Sequence, residues 1–145
     1  MYPLKAPTMI LFKELKNNQD EVYFSVETDK EKKWIHGRLS GRLTMEQIKS
    51  VGLLYLELLQ RTPYSKILHD STQLQGSYIV ANEWLESVCF APAAQAGLTS
   101  LAVVVPEEQD IMLATQDLSN KASDRFKLRS FSEVEEAEEW LKASR

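Results

Sequence analysis

Ser65-Lys66-Ile67-Leu68-His69-Asp70-Ser71-Thr72, followed by Gly76-Ser77 and a run that starts at Tyr78, marks this chain as one of alternating strands and helices. It reads as a buried strand whose polar end points into a loop, with Tyr78 as the start of a helix. In α/β domains, ligands and partners are received beyond the carboxyl end of such a strand, near the next helix N-terminus. Asp70, Ser71, Thr72 and Ser77 are therefore the candidate partner-binding or regulatory residues. Each also has a purely structural reading. Asp, Ser and Thr side chains close turns by accepting nearby backbone N–H groups, and a serine ahead of a helix is a natural cap.

Upstream, Met9 to Leu15, Val22 to Val26 and Trp34 to Leu39 read as strands separated by the turn-rich Asn17-Asn18-Gln19-Asp20 and Thr28-Asp29-Lys30-Glu31. An N-terminal antiparallel meander is expected. At Thr44-Met45-Glu46-Gln47 the period changes to that of a helix opened by a capping box. Ile48, Val51, Tyr55, Leu58 and Leu59 make its apolar stripe, and Pro63 stops it.

Downstream, the Tyr78 helix runs through Trp84, Leu85 and Val88, is kinked or split at Pro92, and ends at Gly97. Leu98 to Val105 is the most apolar, β-branched run and reads as a central strand. Glu107 to Leu118 reads as helix, Ser119 to Asp124 as a mobile segment, and Phe126 to Phe131 as a half-buried edge strand. A second capping box, Ser132-Glu133-Val134-Glu135, opens a last helix packed through Val134, Ala137, Trp140 and Leu141. Strands that alternate with helices after residue 60 imply parallel pairing. The expected fold class is α/β, with a single mixed β-sheet flanked by helices.

Composition narrows the function classes. The chain has 145 residues, 43% hydrophobic and 26% charged, which suits one globular domain spanning 1–145, with 1–8 as a loosely ordered extension. A net charge of −4 with interspersed Lys and Arg disfavours nucleic acid, whose phosphates need clustered cations. No apolar run reaches the ~18 residues of a membrane span. The expected location is cytoplasmic. With one cysteine, Cys89, no intramolecular disulfide can form.

Catalytic motifs are missing. His69-Asp70-Ser71 holds the residue types of a hydrolase triad, but neighbouring strand residues point to opposite faces and cannot share one reacting atom. There is no Gly-x-Ser-x-Gly, no phosphate loop and no Gly-x-Gly-x-x-Gly among five glycines. His36 and His69 are the only histidines, which argues against a metal site. The expectation is a protein that is not an enzyme and carries no cofactor. Trp84 and Phe90, aromatics at helical spacing, read as core, with the lining of an apolar ligand pocket as the alternative.

Several blocks carry a resemblance: Lys66 to Thr72 before a Gly-Ser turn, Glu83-Trp84-Leu85 leading to Phe90-Ala91-Pro92, Ala96-Gly97-Leu98, and Phe131-Ser132 with Ala137 to Leu141. Together they resemble the SpoIIAA-like group of STAS-type domains, the sulfate-transporter and anti-sigma-factor-antagonist fold, from about Val22 to Leu141. That resemblance implies a cofactor-free regulatory module that binds a protein partner. It also implies a phosphorylated serine at the helix after the central strand. Asp70 resembles the aspartate at that strand's end and Ser77 lies near the phosphoacceptor, although Gly76-Ser77-Tyr78 replaces the family's Asp-Ser-Ser-Gly. The architecture is also similar to CRAL-TRIO-type lipid-transfer domains, which implies the alternative of a carrier holding a lipid or other small apolar ligand between sheet and a movable helix. A homodimer through the edge strand near Phe126 to Phe131 or the meander is a further expectation.

Overall fold

The computed structural model describes residues 12–144, so the expectations for residues 1–8 and for a strand start at Met9 lie outside the described residues. Three strands come first, β1 (Phe12–Lys16), β2 (Val22–Asp29) and β3 (Trp34–Gly41), paired antiparallel as a meander. Short polar side chains close its turns. Asn17 Oδ1 accepts the N–H groups of Gln19 and Glu21, and Asp29 Oδ1 accepts that of Lys32.

Helix α1 (Met45–Arg61) begins with the expected capping box, in which Thr44 Oγ1 accepts the Gln47 N–H and Gln47 Oε1 accepts the Thr44 N–H. Strand β4 (Lys66–Leu74) follows. Residues 79–95 then form one broken helical segment: a tight turn over Ile79–Ala81, α2 (Asn82–Trp84), a wide π-helical turn over Leu85–Phe90, and α3 (Ala91–Gln95). Pro92 explains the break, because its ring lacks an N–H and crowds the carbonyl one turn back, which a wider turn ahead of it relieves. The chain closes with β5 (Ser100–Val104), α4 (Gln109–Ala122), β6 (Lys127–Phe131) and α5 (Val134–Ala143).

The six strands form one mixed sheet in the order β1-β2-β3-β4-β5-β6, parallel from β3 onward. Parallel strands must be covered on both faces. On one face α1, the 79–95 segment and α4 enclose the main core, which includes Phe24, Val26, Ile35, Ile67, Val103, Leu58 and Ile111. On the other, α5 packs Ala137 and Leu141 against Trp34, Leu68, Ala102 and Val104.

Three expectations need correction. The Leu98 to Val105 run gives β5, which is buried but lies second from the edge, while β3 and β4 are central. Apolarity reports double-faced burial, which any interior parallel strand shares. Ser119 to Ala122 is the last turn of α4, not a mobile segment, since Ala122 is buried and Ser119 Oγ donates to the Leu128 carbonyl. The second capping box does not form. Phe131 stays in the sheet, its carbonyl accepting from the Val105 N–H and its ring tilted on Trp140 at 5.7 Å. The cap position therefore falls on Glu133, which makes no side-chain cap bond.

These two helix starts separate by mutation. Thr44→Ala is expected to cost about 1 kcal/mol of stability and Ser132→Ala less than about 0.5 kcal/mol, measured by urea unfolding. Equal losses would contradict the assigned cap at Glu133.

Candidate functional site

β4 continues to Leu74, so Asp70, Ser71 and Thr72 lie inside the strand and not in the loop beyond it. The reason is a bulge. Arg38 pairs with Asp70 and Ser40 with Gln73, leaving Ser71 and Thr72 opposite the single residue Leu39. The irregularity is satisfied internally: Asp70 Oδ1 accepts both the Thr72 N–H at 2.9 Å and the Thr72 hydroxyl at 2.7 Å, and the buried Ser71 hydroxyl donates to the Val104 carbonyl at 2.7 Å. His69, Asp70 and Ser71 thus bond to three different partners. Ser77 is different. It is exposed in the turn beyond the strand, and its hydroxyl accepts the Ile79 N–H at 3.2 Å.

Around Ser77 the surface turns apolar. Val80 is 74% exposed and Ile79 45%, and on the neighbouring α4 Met112 and Leu113 are each about half exposed (51% and 55%). Two buried polar links tie the segments together: the Tyr78 and Thr115 hydroxyls share a hydrogen bond, and Asn82 Nδ2 donates to the Ala114 carbonyl and to Asp117 Oδ2. Burial pushes the Tyr78 phenol up to about 12, against the hydrogen bond to Thr115, so it stays protonated.

Beneath these segments lies a second feature, at the place where the sequence offered an apolar pocket as an alternative. Between the sheet, α1 and residues 79–95 is a cavity of about 120 Å³, walled by apolar side chains that include Val51, Leu85, Phe90, Leu101 and Val103. Phe90 lines it, as one expectation required. Trp84 does not; it is partly buried against the core, with Lys49 Nζ 5.4 Å from its ring centroid. Cys89 lines the cavity too, and burial raises its thiol pKa.

One polar pair faces this apolar enclosure. The Tyr55 hydroxyl on α1 lies 2.6 Å from His69 Nδ1 on β4, both residues lining the cavity. Gly37 makes the approach possible. It is the cross-strand partner of His69, and a Cβ there would collide with the Tyr55 hydroxyl and lie 2.8 Å from Phe24 Cε1. Phe24 in turn meets the Tyr55 ring edge to face, 5.2 Å between centroids. Burial holds the His69 imidazole down to about 4, opposed by the Asp70 charge, and burial also raises Tyr55 well above the usual phenol range. Both groups are neutral near pH 7.

Tyr55 was read from the sequence only as part of the α1 stripe, and Gly37 was passed over. An isolated glycine in a strand pattern marks a close approach by another group, which is the one signal that points to this pair. Among the described residues no group of three His, Cys, Asp or Glu side chains is placed to hold a metal, and no helix is long and apolar enough to cross a membrane.

A family model described as SpoIIAA-like matches residues 34–142 of this chain. A similar solved structure is that of an uncharacterized protein from the DUF3478 family with a SpoIIAA-like fold, from Shewanella loihica PV-4. It is 20% identical, the match covers 91% of this chain and 93% of that one, and the TM-score is 0.53. At that identity the likeness is one of fold. No curated protein matches the chain.

The desolvated, partly buried imidazole makes stability depend on pH. Unfolded, His69 takes up a proton near its ordinary value of 6.5; folded, it does so only near 4. The unfolded state therefore binds more protons between these values, and stability falls as pH drops through that window, by on the order of 3 kcal/mol in full. His36 adds a smaller effect of the same sign, because burial and Arg38 lower its pKa. Urea unfolding at pH 7.5 and 5.5 should show a clear loss in the parent and a reduced loss in His69→Gln. An unchanged slope in the variant would count against a neutral His69. Gly37→Ala should cost roughly 2 to 3 kcal/mol by the same measurement, since the added methyl displaces Tyr55.

Proposed function

The chain belongs to the SpoIIAA-like family, and from that premise we propose that it is a non-catalytic regulatory module that engages a protein partner beyond the carboxyl end of β4. The observation that carries this reading is the exposed apolar pair Ile79 and Val80, just beyond the exposed Ser77, with exposed Met112 and Leu113 on α4, the helix bonded to this segment through Thr115 and Ala114. Apolar side chains in water at the start of a helical segment are suited to burial by a partner. Ser77 is the regulatory position in this reading. Phosphate added there introduces a charge of about −2 next to the apolar pair and opposes its burial. Asp70, Ser71 and Thr72 serve the surface indirectly, by holding the bulge that aims the turn.

The setting that suits such a module is the cytoplasm, where the free, buried Cys89 stays reduced. The edge strands β1 and β6 are where a second copy of the chain would pair in a homodimer. A second reading, that of a carrier for a small apolar ligand, is favoured by one observation, the cavity between the sheet and the 79–95 segment.

Capture experiments with the immobilised chain test the leading reading. Partners held by the parent protein should be lost with Val80→Asp and with Ser77→Glu, and kept with Glu139→Ala on α5, the helix on the opposite face of the sheet. Identical capture by all four proteins would remove the Ser77 and Val80 surface from the account.

A further inference from the structure

We infer that the cavity is a binding site for a small, uncharged, single-ring molecule that carries one hydroxyl group, held at the Tyr55 and His69 pair. This rests on the carrier reading and narrows it to a ligand class. Size sets the first limit. Apolar cavities of about 150 Å³ accommodate benzene, and this one measures about 120 Å³. A single ring fills it, whereas a long acyl chain exceeds that volume while residues 79–95 stay packed on α1.

Charge sets the second limit. Among the described residues no Asp, Glu, Lys or Arg lines the cavity. An ionised ligand would leave water without a counter-charge, at a cost far above that of a neutral one. Hydrogen bonding sets the third. Tyr55 and His69 use one donor and one acceptor on each other, and the remaining His69 ring nitrogen has no partner among the described residues. If the tyrosine donates, the imidazole keeps an N–H; if the imidazole donates, the tyrosine keeps its O–H. Either tautomer leaves the pair one spare donor and one spare acceptor. A hydroxyl group on the ligand is the complement of both.

Phenol, toluene, benzoate and decanoate are the probes, titrated into the full chain with amide and imidazole nitrogen NMR as the readout. Phenol is expected to bind saturably, shifting the amides of Tyr55, His69, Cys89 and Phe90 and the imidazole nitrogens of His69. Toluene should shift the same amides without the imidazole response, and benzoate should do nothing. The double variant Tyr55→Phe with His69→Leu replaces both polar partners by apolar groups, which is the gentler way to remove a buried hydrogen bond. It should weaken phenol about five- to tenfold and leave toluene within about twofold. Should that variant fail to fold, the imidazole response of the parent decides the matter. Phenol binding without an imidazole shift, equal losses for phenol and toluene in the variant, or benzoate binding as well as phenol would each overturn the inference. Saturable decanoate binding with no effect of phenol would overturn the ligand class and leave the carrier reading standing. No binding by any probe would overturn both.

Discussion

A partly buried imidazole at the centre of the mixed sheet imposes the constraint from which the local architecture follows. His69 sits on β4, one of the two central strands, on the face covered by α1. Burial there disfavours its charged form, so the ring is neutral, and a neutral buried ring still needs a hydrogen-bond partner. Tyr55 supplies it from α1, at 2.6 Å. The phenol reaches the sheet only because Gly37, next to His69 across the strand pair, has no side chain. Helix, glycine and histidine are thus one unit, and it fixes the position of α1 along β3 and β4.

The cavity follows from how the remaining elements meet that unit. Gly52 on α1 lets the wide turn of residues 85–90 approach closely, a Cβ there falling 2.8 Å from Leu85 Cδ2 and 3.3 Å from Cys89 Sγ. The π-helical register of that turn is set by Pro92, so its side chains do not follow ordinary helical spacing into the core. Space remains above the sheet, with the one polar pair on its wall. On the far side of the molecule α5 covers Trp34, Leu68, Ala102, Val104 and Phe131. Where its cover ends, the polar side chains of Glu27, Arg38 and Asp70 take over, with Arg38 Nη1 3.9 Å from Glu27.

Much of this was legible in the sequence, for identifiable reasons. The Thr44 box, the α1 stripe, the meander and the parallel strands after residue 60 all depend on local chemistry or on period, which a sequence carries openly. Position within the sheet does not. Val103 and Val104 are as apolar as a central strand requires, yet β5 lies second from the edge, because order in a sheet is settled by crossovers. The Ser132 box failed because Phe131 is held in the sheet by Val105, distant in sequence, and packs on Trp140. The polar run from Asp70 to Thr72 read as a strand end with turn-forming residues because its bonds to Val104 and within the bulge are invisible without the fold. Ser77 was placed as a cap on local grounds alone, and its hydroxyl does accept the Ile79 N–H. Tyr55 and His69 are 14 residues apart and joined through a glycine on a third element, a relation that no spacing rule encodes.

The whole arrangement depends on His69 being a neutral, hydrogen-bonded imidazole that faces a cavity. Following its two ring nitrogens by NMR from pH 8 to pH 4 tests this most directly. The account predicts a single tautomer, unprotonated until the pH approaches about 4, and a change in the nitrogen shifts when Tyr55 is replaced by Phe. Titration of His69 near its ordinary value of 6.5, insensitive to Tyr55, would contradict it.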